Sequence, residues 1–121
     1  MSSNSKAIWI LRIAVAGEFL GHGVFALQGK PDWIKWFATF GVSNPETAAT
    51  LLMLVGLMDI LVAIVVLVKP MRSIILWAAF WGFWTALVRP IIGQPIWDFI
   101  ERFANFGAPL ALYYLLYGRG K

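Results

Sequence analysis

The sequence predicts an all-α membrane protein: a four-transmembrane-helix up-down bundle with a short interfacial helix in the first outer loop. Three observations carry this. The 121 residues are 60% hydrophobic and only 13% charged, with a mean hydropathy of +0.76, whereas soluble domains carry roughly 25% charged residues. Four apolar stretches approach the ~20 residues needed to cross the hydrocarbon. Basic residues gather in the turns between alternate stretches, as the positive-inside rule requires of a chain that winds back and forth. One integral membrane domain over residues 1–121 follows.

The first span covers 7–27. It is expected to be a retained helix and not a signal peptide, because Arg12 and Glu18 interrupt it and no small-residue cleavage motif precedes the next loop. Gly29 and Pro31 end it. In the following loop Trp33, Trp36, Phe37 and Phe40 fall on one helical stripe. A short helix lying on the outer leaflet is expected there, with a re-entrant cap over the bundle as the alternative.

The second span, 46–68, is the cleanest, broken only by Asp59. Pro45 suits a first helical turn, and Ser43 with Glu46 has capping-box spacing. The basic turn Lys69-Pro70-Met71-Arg72 should make the second and third spans antiparallel neighbours. The third span, 73–89, is rich in Trp and Phe. Pro90 to Pro95 separates it from the fourth, 97–117, where Pro109 withholds a donor from the carbonyl of Asn105. Lys6, Lys69, Arg72, Arg119 and Lys121 fall on one side of such a bundle, which predicts both termini in the cytoplasm.

The informative residues are the charges inside these spans. Arg12, Arg89 and Arg102 balance Glu18, Asp59 and Glu101, and His22 is the only histidine. A charge in a bilayer persists where it faces a bundle interior, a partner or a water cavity. Counting ~1.5 Å per residue along each helix, Glu18, His22, Arg89, Glu101, Arg102 and Asn105 fall in the outer half. Asp59 lies near the midplane, and Arg12 deeper. Glu18 and His22 share a face, as do Glu101 and Asn105. Depth alone pairs Glu18 with Arg102 or Arg89, His22 with Glu101, and Arg12 with Asp59 as a structural ion pair. Such a cluster can hold a polar head group, pass protons, or fasten helices together.

Trp77, Trp81 and Trp84 form an aromatic wall on the third span, suited to packing or to stacking on a ring. Gly17 and Gly21 form a small-xxx-small face for close helix approach, within the chain or in a homodimer. No metal site is expected, since His22 has no second histidine and arginines compete for the carboxylates. The absence of cysteine excludes disulfides and Cys-ligated clusters. The net charge of +4 reads as topology signal and lipid contact, with no nucleic-acid partner implied.

Several of these residues resemble the DoxX/DoxD-like family of small four-helix membrane proteins. The likeness rests on Leu11-Arg12, Gly21-His22-Gly23, Gly29-Lys30, Trp36-Phe37 through Gly41-Val42, and the acidic position Asp59, where the family often has glutamate. The basic turn 69–72 belongs to it as well. The ending Glu101-Arg102 to Asn105, with Gly107-Ala108-Pro109-Leu110-Ala111-Leu112, resembles a subset of these proteins. The resemblance implies a place in a membrane oxidoreductase assembly of a bacterial or archaeal cytoplasmic membrane. In the DoxD branch it implies thiosulfate:quinone oxidoreduction with a partner subunit. Related thiol-redox maturation factors need cysteines, which this chain lacks.

No self-contained catalytic or redox centre is visible, so no intrinsic cofactor is expected. The leading expectation is an accessory subunit that binds a quinone-like or lipid-like molecule among Glu18, His22, Asp59, Arg89, Glu101, Arg102 and Asn105. The alternative is a non-enzymatic membrane protein, a structural partner or a small-solute or proton conduit, whose buried charges specify helix packing.

Overall fold

The computed structural model describes residues 3–118. Arg119 and Lys121, which enter the expected charge asymmetry, lie outside the described residues. The described chain is helical: α1 (Ser3–Leu27), α2 (Pro31–Thr39), α3 (Pro45–Val68), α4 (Arg72–Ile91), α5 (Ile96–Ile100) and α6 (Ala104–Tyr117). By length and composition α1, α3 and α4 can each cross a membrane.

Each long helix carries two stripes. On α3, Ala48, Leu52, Gly56, Asp59, Ala63 and Val66 are buried, at spacings of three and four. On its opposite face Leu54, Leu57, Leu61, Ile64 and Val68 are each more than half exposed. A helix that is apolar all round and turns half its leucines outward needs an apolar solvent. On α4 the buried stripe runs Ile75, Ala78, Ala79, Gly82, Ala86, Arg89. Asp59 and Arg89 thus sit on the inward stripes by helical register.

The helix boundaries have local causes. Gly29 takes φ 69° to leave α1, and Pro31 opens α2. The α3 N-cap is Asn44, whose side chain accepts from the N–H groups of Glu46 (2.9 Å) and Thr47 (3.3 Å). This corrects the expected Ser43 cap: Pro45 occupies the first helical position, which makes residue 44 the cap.

The stretch 97–117 is not one helix. Residues 101–103 form a turn between α5 and α6, where Arg102 and Phe103 donate to the carbonyls three residues back, Phe99 (3.1 Å) and Ile100 (3.2 Å). The carbonyl of Asp98, which the Arg102 N–H would meet in an α-helix, accepts instead from Arg102 Nη1 at 2.9 Å. The side chain has taken the acceptor that the helix would have used. The 14 residues of α6 then rise only ~21 Å.

The principal pairings are α1 with α3 and α4 with α6, joined by α1 against α6. Although a three-residue turn links α3 and α4, they touch little. The α1–α3 crossing uses Gly23 and Gly56. A Cβ at Gly23 would lie 3.0 Å from the Gly56 carbonyl oxygen and 2.8 Å from Ile60 Cγ1, and one at Gly56 would lie 2.8 Å from the Gly23 oxygen. Gly17 and Gly21, expected to serve a close approach within the chain or in a homodimer, make none within the chain and face open space. Burial of Phe19, Gly23 and Ala26 turns the opposite edge of α1 inward. At the α4–α6 crossing, a Cβ at Gly82 would collide with the Asn105 carbonyl, which Pro109 leaves without its usual helical donor.

The hydrophobic core lies at one end. Val15, Ala16, Phe19, Val62, Ala63, Val66, Ile75, Ala78 and Leu112 form one buried cluster. Around it the turn after α3 is tied down. Arg12 Nε donates to the Val66 carbonyl (3.0 Å) and its Nη2 to that of Leu67, while Tyr117 donates its hydroxyl to the Pro70 carbonyl (2.7 Å). The last carbonyls of a helix lack intrahelical donors, and in lipid no water replaces them. Arg12 supplies that need, with its guanidinium 3.8 Å from the Trp9 ring centroid.

Candidate functional site

At the other end the helices border an open-sided cavity of about 400 Å³. Ligand pockets typically run to roughly 300–1,000 Å³. The register of the buried stripes supplies its walls. From α1 come Glu18, Phe19 and His22, from α3 Leu52, Val55 and Asp59, and from α4 Trp81, Gly82, Trp84, Thr85, Val88 and Arg89. The weak contact between α3 and α4 leaves the space, and α2 closes over it with Trp33, Trp36, Phe37 and Phe40.

The aromatic stripe of α2 therefore lines the interior. Of the two expectations for this stripe, a helix on the leaflet and a cap over the bundle, the position of its four rings in the cavity lining matches the cap, although no residue of α2 is fully buried. Their spacing carried the signal, since a stripe of four large rings on nine residues can cover a cavity as well as a leaflet. The rings are held by one another and by cations. Trp33 lies 5.7 Å from His22 and 6.2 Å from Trp36, and Phe40 lies 5.9 Å from Trp84. The Arg89 guanidinium sits 5.1 Å from the Trp36 centroid, within cation–π range.

The polar groups of the cavity are sparse. Arg89 is 6% exposed and donates from Nη1 to the Thr85 carbonyl at 2.6 Å, which leaves the rest of its fork free to face the interior. Asp59 is 3% exposed, and its Oδ1 is sealed from solvent without a hydrogen-bond partner. A buried polar atom without a partner costs of order 1–3 kcal/mol, more when charged. Among the described residues the ion pair present is Arg102–Glu101 at 2.8 Å, so Glu18 and Asp59 have no cationic partner there.

The structure thus gathers Glu18, His22, Asp59, Arg89, Trp81 and Trp84 around one space and places the other expected residues elsewhere. The Arg12–Asp59 pair does not form. Arg12 is engaged at Val66 and Leu67, about 10 Å further along α3 than Asp59. Glu101 and Arg102 pair with each other beside the break before α6 and do not line the cavity. Both remain close enough to Arg89 to bear on its charge, as their depth suggested, but the turn at 101–103 keeps their side chains out of the cavity wall. Asn105 meets Gly82 through its backbone carbonyl. Trp77 stacks on Trp81 with centroids 5.4 Å apart and planes at 18°, and its Nε1 donates to Met58 Sδ at 3.0 Å. It supports the wall from outside the cavity. Among the described residues no group of three or more metal-ligating side chains gathers.

These features define a small helical membrane protein with an aromatic-lined, polar-ended cavity between its spans. The DoxX family model matches residues 7–70, more than half of the chain, and the protein belongs to that family. The match takes in α1, α2, α3 and the turn after them, hence Glu18, His22, Asp59 and the aromatic closure. Neither a curated protein nor a solved structure matches the chain.

Proposed function

We propose that this protein holds a lipid-soluble, ring-bearing molecule of quinone-like or lipid-like class in the cavity beneath α2, as an accessory subunit of a membrane oxidoreductase. The observation that carries the reading is a cavity walled by Trp33, Trp36, Trp81 and Trp84 with Glu18, His22, Asp59 and Arg89 in its lining. Flat rings stack on such walls, and an amphiphile reaches a site between spans from the bilayer. The residues fit a quinone: ring faces meet indoles, while His22, Arg89 and Asp59 are within the lining to meet its oxygens. A bound quinone would supply the two-electron chemistry that no side chain here provides. The chain's own contribution is to bind, orient and desolvate the ring.

In the bilayer α1, α3 and α4 are crossings, and α5 with α6 together form the fourth. The packing of α6 on α4 and α1 supports this. Lys6, Lys69 and Arg72 mark the cytoplasmic end, supported by Arg72 lying 5.2 Å from the Tyr117 ring, so α2 covers the outer mouth. The reading of intramembrane charge as packing glue fits Arg12, which is committed to backbone carbonyls.

Native mass spectrometry of gently purified protein, with organic extraction of what copurifies, tests the proposal. A stoichiometric ring-bearing amphiphile that Trp84→Ala releases is the expected result. Protein carrying only bulk phospholipid would remove its basis.

A further inference from the structure

Packing shuts the cavity on most sides. The Gly23–Gly56 crossing closes α1 on α3, Gly82 against the Asn105 carbonyl closes α4 on α6, and the buried cluster fills the end toward the 69–71 turn. Between α3 and α4 the closure fails along one register. Leu51, Val55, Met58 and Val62 share the face of α3 that meets α4, three or four residues apart. Val62 is 2% exposed, Met58 accepts from Trp77 Nε1 at 3.0 Å, Val55 lines the cavity, and Leu51 is 37% exposed. The matching face of α4 carries Trp77, Trp81, Trp84 and Val88. The two helices therefore touch near their turn and part as they run toward α2. The Met58–Trp77 contact is the base of this cleft, and Phe40 against Trp84, with centroids 5.9 Å apart, bridges its top. Trp77 and Trp84 are seven residues apart on one helix, so the window between them is about 10 Å tall. Leu54 and Phe80, each more than half exposed, flank it on the outside.

We propose that this cleft is a lateral portal and that the ligand is a ring bearing a hydrocarbon tail, the ring held in the cavity and the tail running out between α3 and α4 into the bilayer. This rests on the quinone-like reading above and gives the ligand its second part. A cavity of about 400 Å³ stands at the low end of the roughly 300–1,000 Å³ of ligand pockets, room for a substituted ring without a long chain beside it. The chain needs an apolar way out, and the cleft is one. Leu51, Val55, Met58, Trp77 and Trp81 carry no charge, whereas a path over α2 crosses the exposed Asp32 and Lys35. Lipid chains are as apolar as leucine, so a tail passing from cleft to bilayer crosses no step in polarity. The same window admits the ring from the membrane with α2 left in place.

A benzoquinone with a photoreactive diazirine midway along a decyl tail maps the tail's course. It is bound to the full chain in lipid nanodiscs, and the labelled residues are read by mass spectrometry. Label competed away by decylubiquinone is expected on Leu51, Met58 and Trp77, which lie outside the cavity lining. Competed label confined to Phe19, Leu52 or the α2 rings overturns the portal and leaves the ring-binding function standing. Absence of competed label anywhere overturns the quinone-like reading and the inference with it. A second measurement fills the cleft with Leu51→Trp and reads binding as the midpoint of tryptophan quenching. Decylubiquinone should bind about tenfold more weakly, the affinity equivalent of a usual overpacking cost. Its analogue with methyl in place of decyl should stay within about twofold. Each probe is compared with itself in the parent protein, so the difference in their partition into lipid cancels. Equal weakening of both overturns the assignment of the tail to this cleft. The labelling needs no variant, so a Leu51→Trp chain that does not fold leaves the test intact.

Discussion

The two ends of this bundle are built from the same helices to opposite specifications. At the end holding the 69–71 turn, Val15, Val66, Ile75 and Leu112 are almost completely buried, and the carbonyls of Val66, Leu67 and Pro70 each have a side-chain donor. At the end under α2, the same α1, α3 and α4 stand around about 400 Å³ of space, and a buried carboxyl oxygen has no donor. One end spends its polar side chains on backbone and its apolar ones on packing. The other leaves both unspent. Polar groups left unsatisfied where a fold satisfies them elsewhere mark a place shaped for something other than stability.

This contrast can be broken at its hinges. Gly56→Leu or Gly82→Leu drives a side chain into a facing carbonyl and should cost about 3 kcal/mol or more, the upper range for overpacking. Both ends should fail together, seen as loss of the thermal transition in detergent. Gly17→Leu and Gly21→Leu, which face open space, should stay within about 0.5 kcal/mol of the parent. If they cost as much as Gly56→Leu, the crossing has been misplaced.

The ends should then separate. Leu112→Ala in the packed end should cost about 2–5 kcal/mol, while Val55→Ala in the cavity wall, with less packing to lose, should cost less than half of that. Equal losses in denaturation would mean the cavity is as well packed as the core. A finer separation comes from Arg12→Gln, expected to lower stability by about 1–3 kcal/mol through two uncapped carbonyls, with ligand affinity unchanged. Coupled loss of binding would show that the two ends are not independent. The smallest effect should come from Arg102→Gln. Its partner Glu101 is a largely exposed chain neighbour, and such pairs contribute at most about 1 kcal/mol. A large effect in a melting experiment would mean that the break before α6 depends on this side chain.

What was legible in the sequence follows the same division. Apolar periodicity and turn residues marked the long helices, because Gly29, Pro31, Pro45 and the 69–72 turn act through neighbours in the chain. The inward placement of Glu18, His22, Asp59 and Arg89 was legible too, since burial stripes and depth follow from helix geometry. What failed needed tertiary contacts. Asn44 and Ser43 differ as caps by one residue that Pro45 decides. Gly23 and Gly56 meet only once α1 is rotated by its packing on α3, which no count along α1 alone reveals. Glu101 and Arg102 pair with each other beside the cavity, and Arg102 also donates to the Asp98 carbonyl, a local contact that depth alone does not reveal. The α2 rings became walls because α3 and α4 part, a property of neither helix taken singly.

The attachment of Arg12 to α3 has a consequence for how the chain enters the membrane. During synthesis α1 arrives first, carrying Arg12, Glu18 and His22, with half the hydropathy of α3 (1.5 against 3.0). An arginine near the centre of a lone helix costs about 2.5–3.5 kcal/mol on insertion. Its partners, the Val66 and Leu67 carbonyls, exist only after another forty residues have been made. The arrival of the most apolar segment therefore lowers the cost of keeping Arg12 in lipid. The two helices, separated by a loop, are expected to help one another into the bilayer, and a chain halted before residue 66 is expected to hold its first helix less firmly.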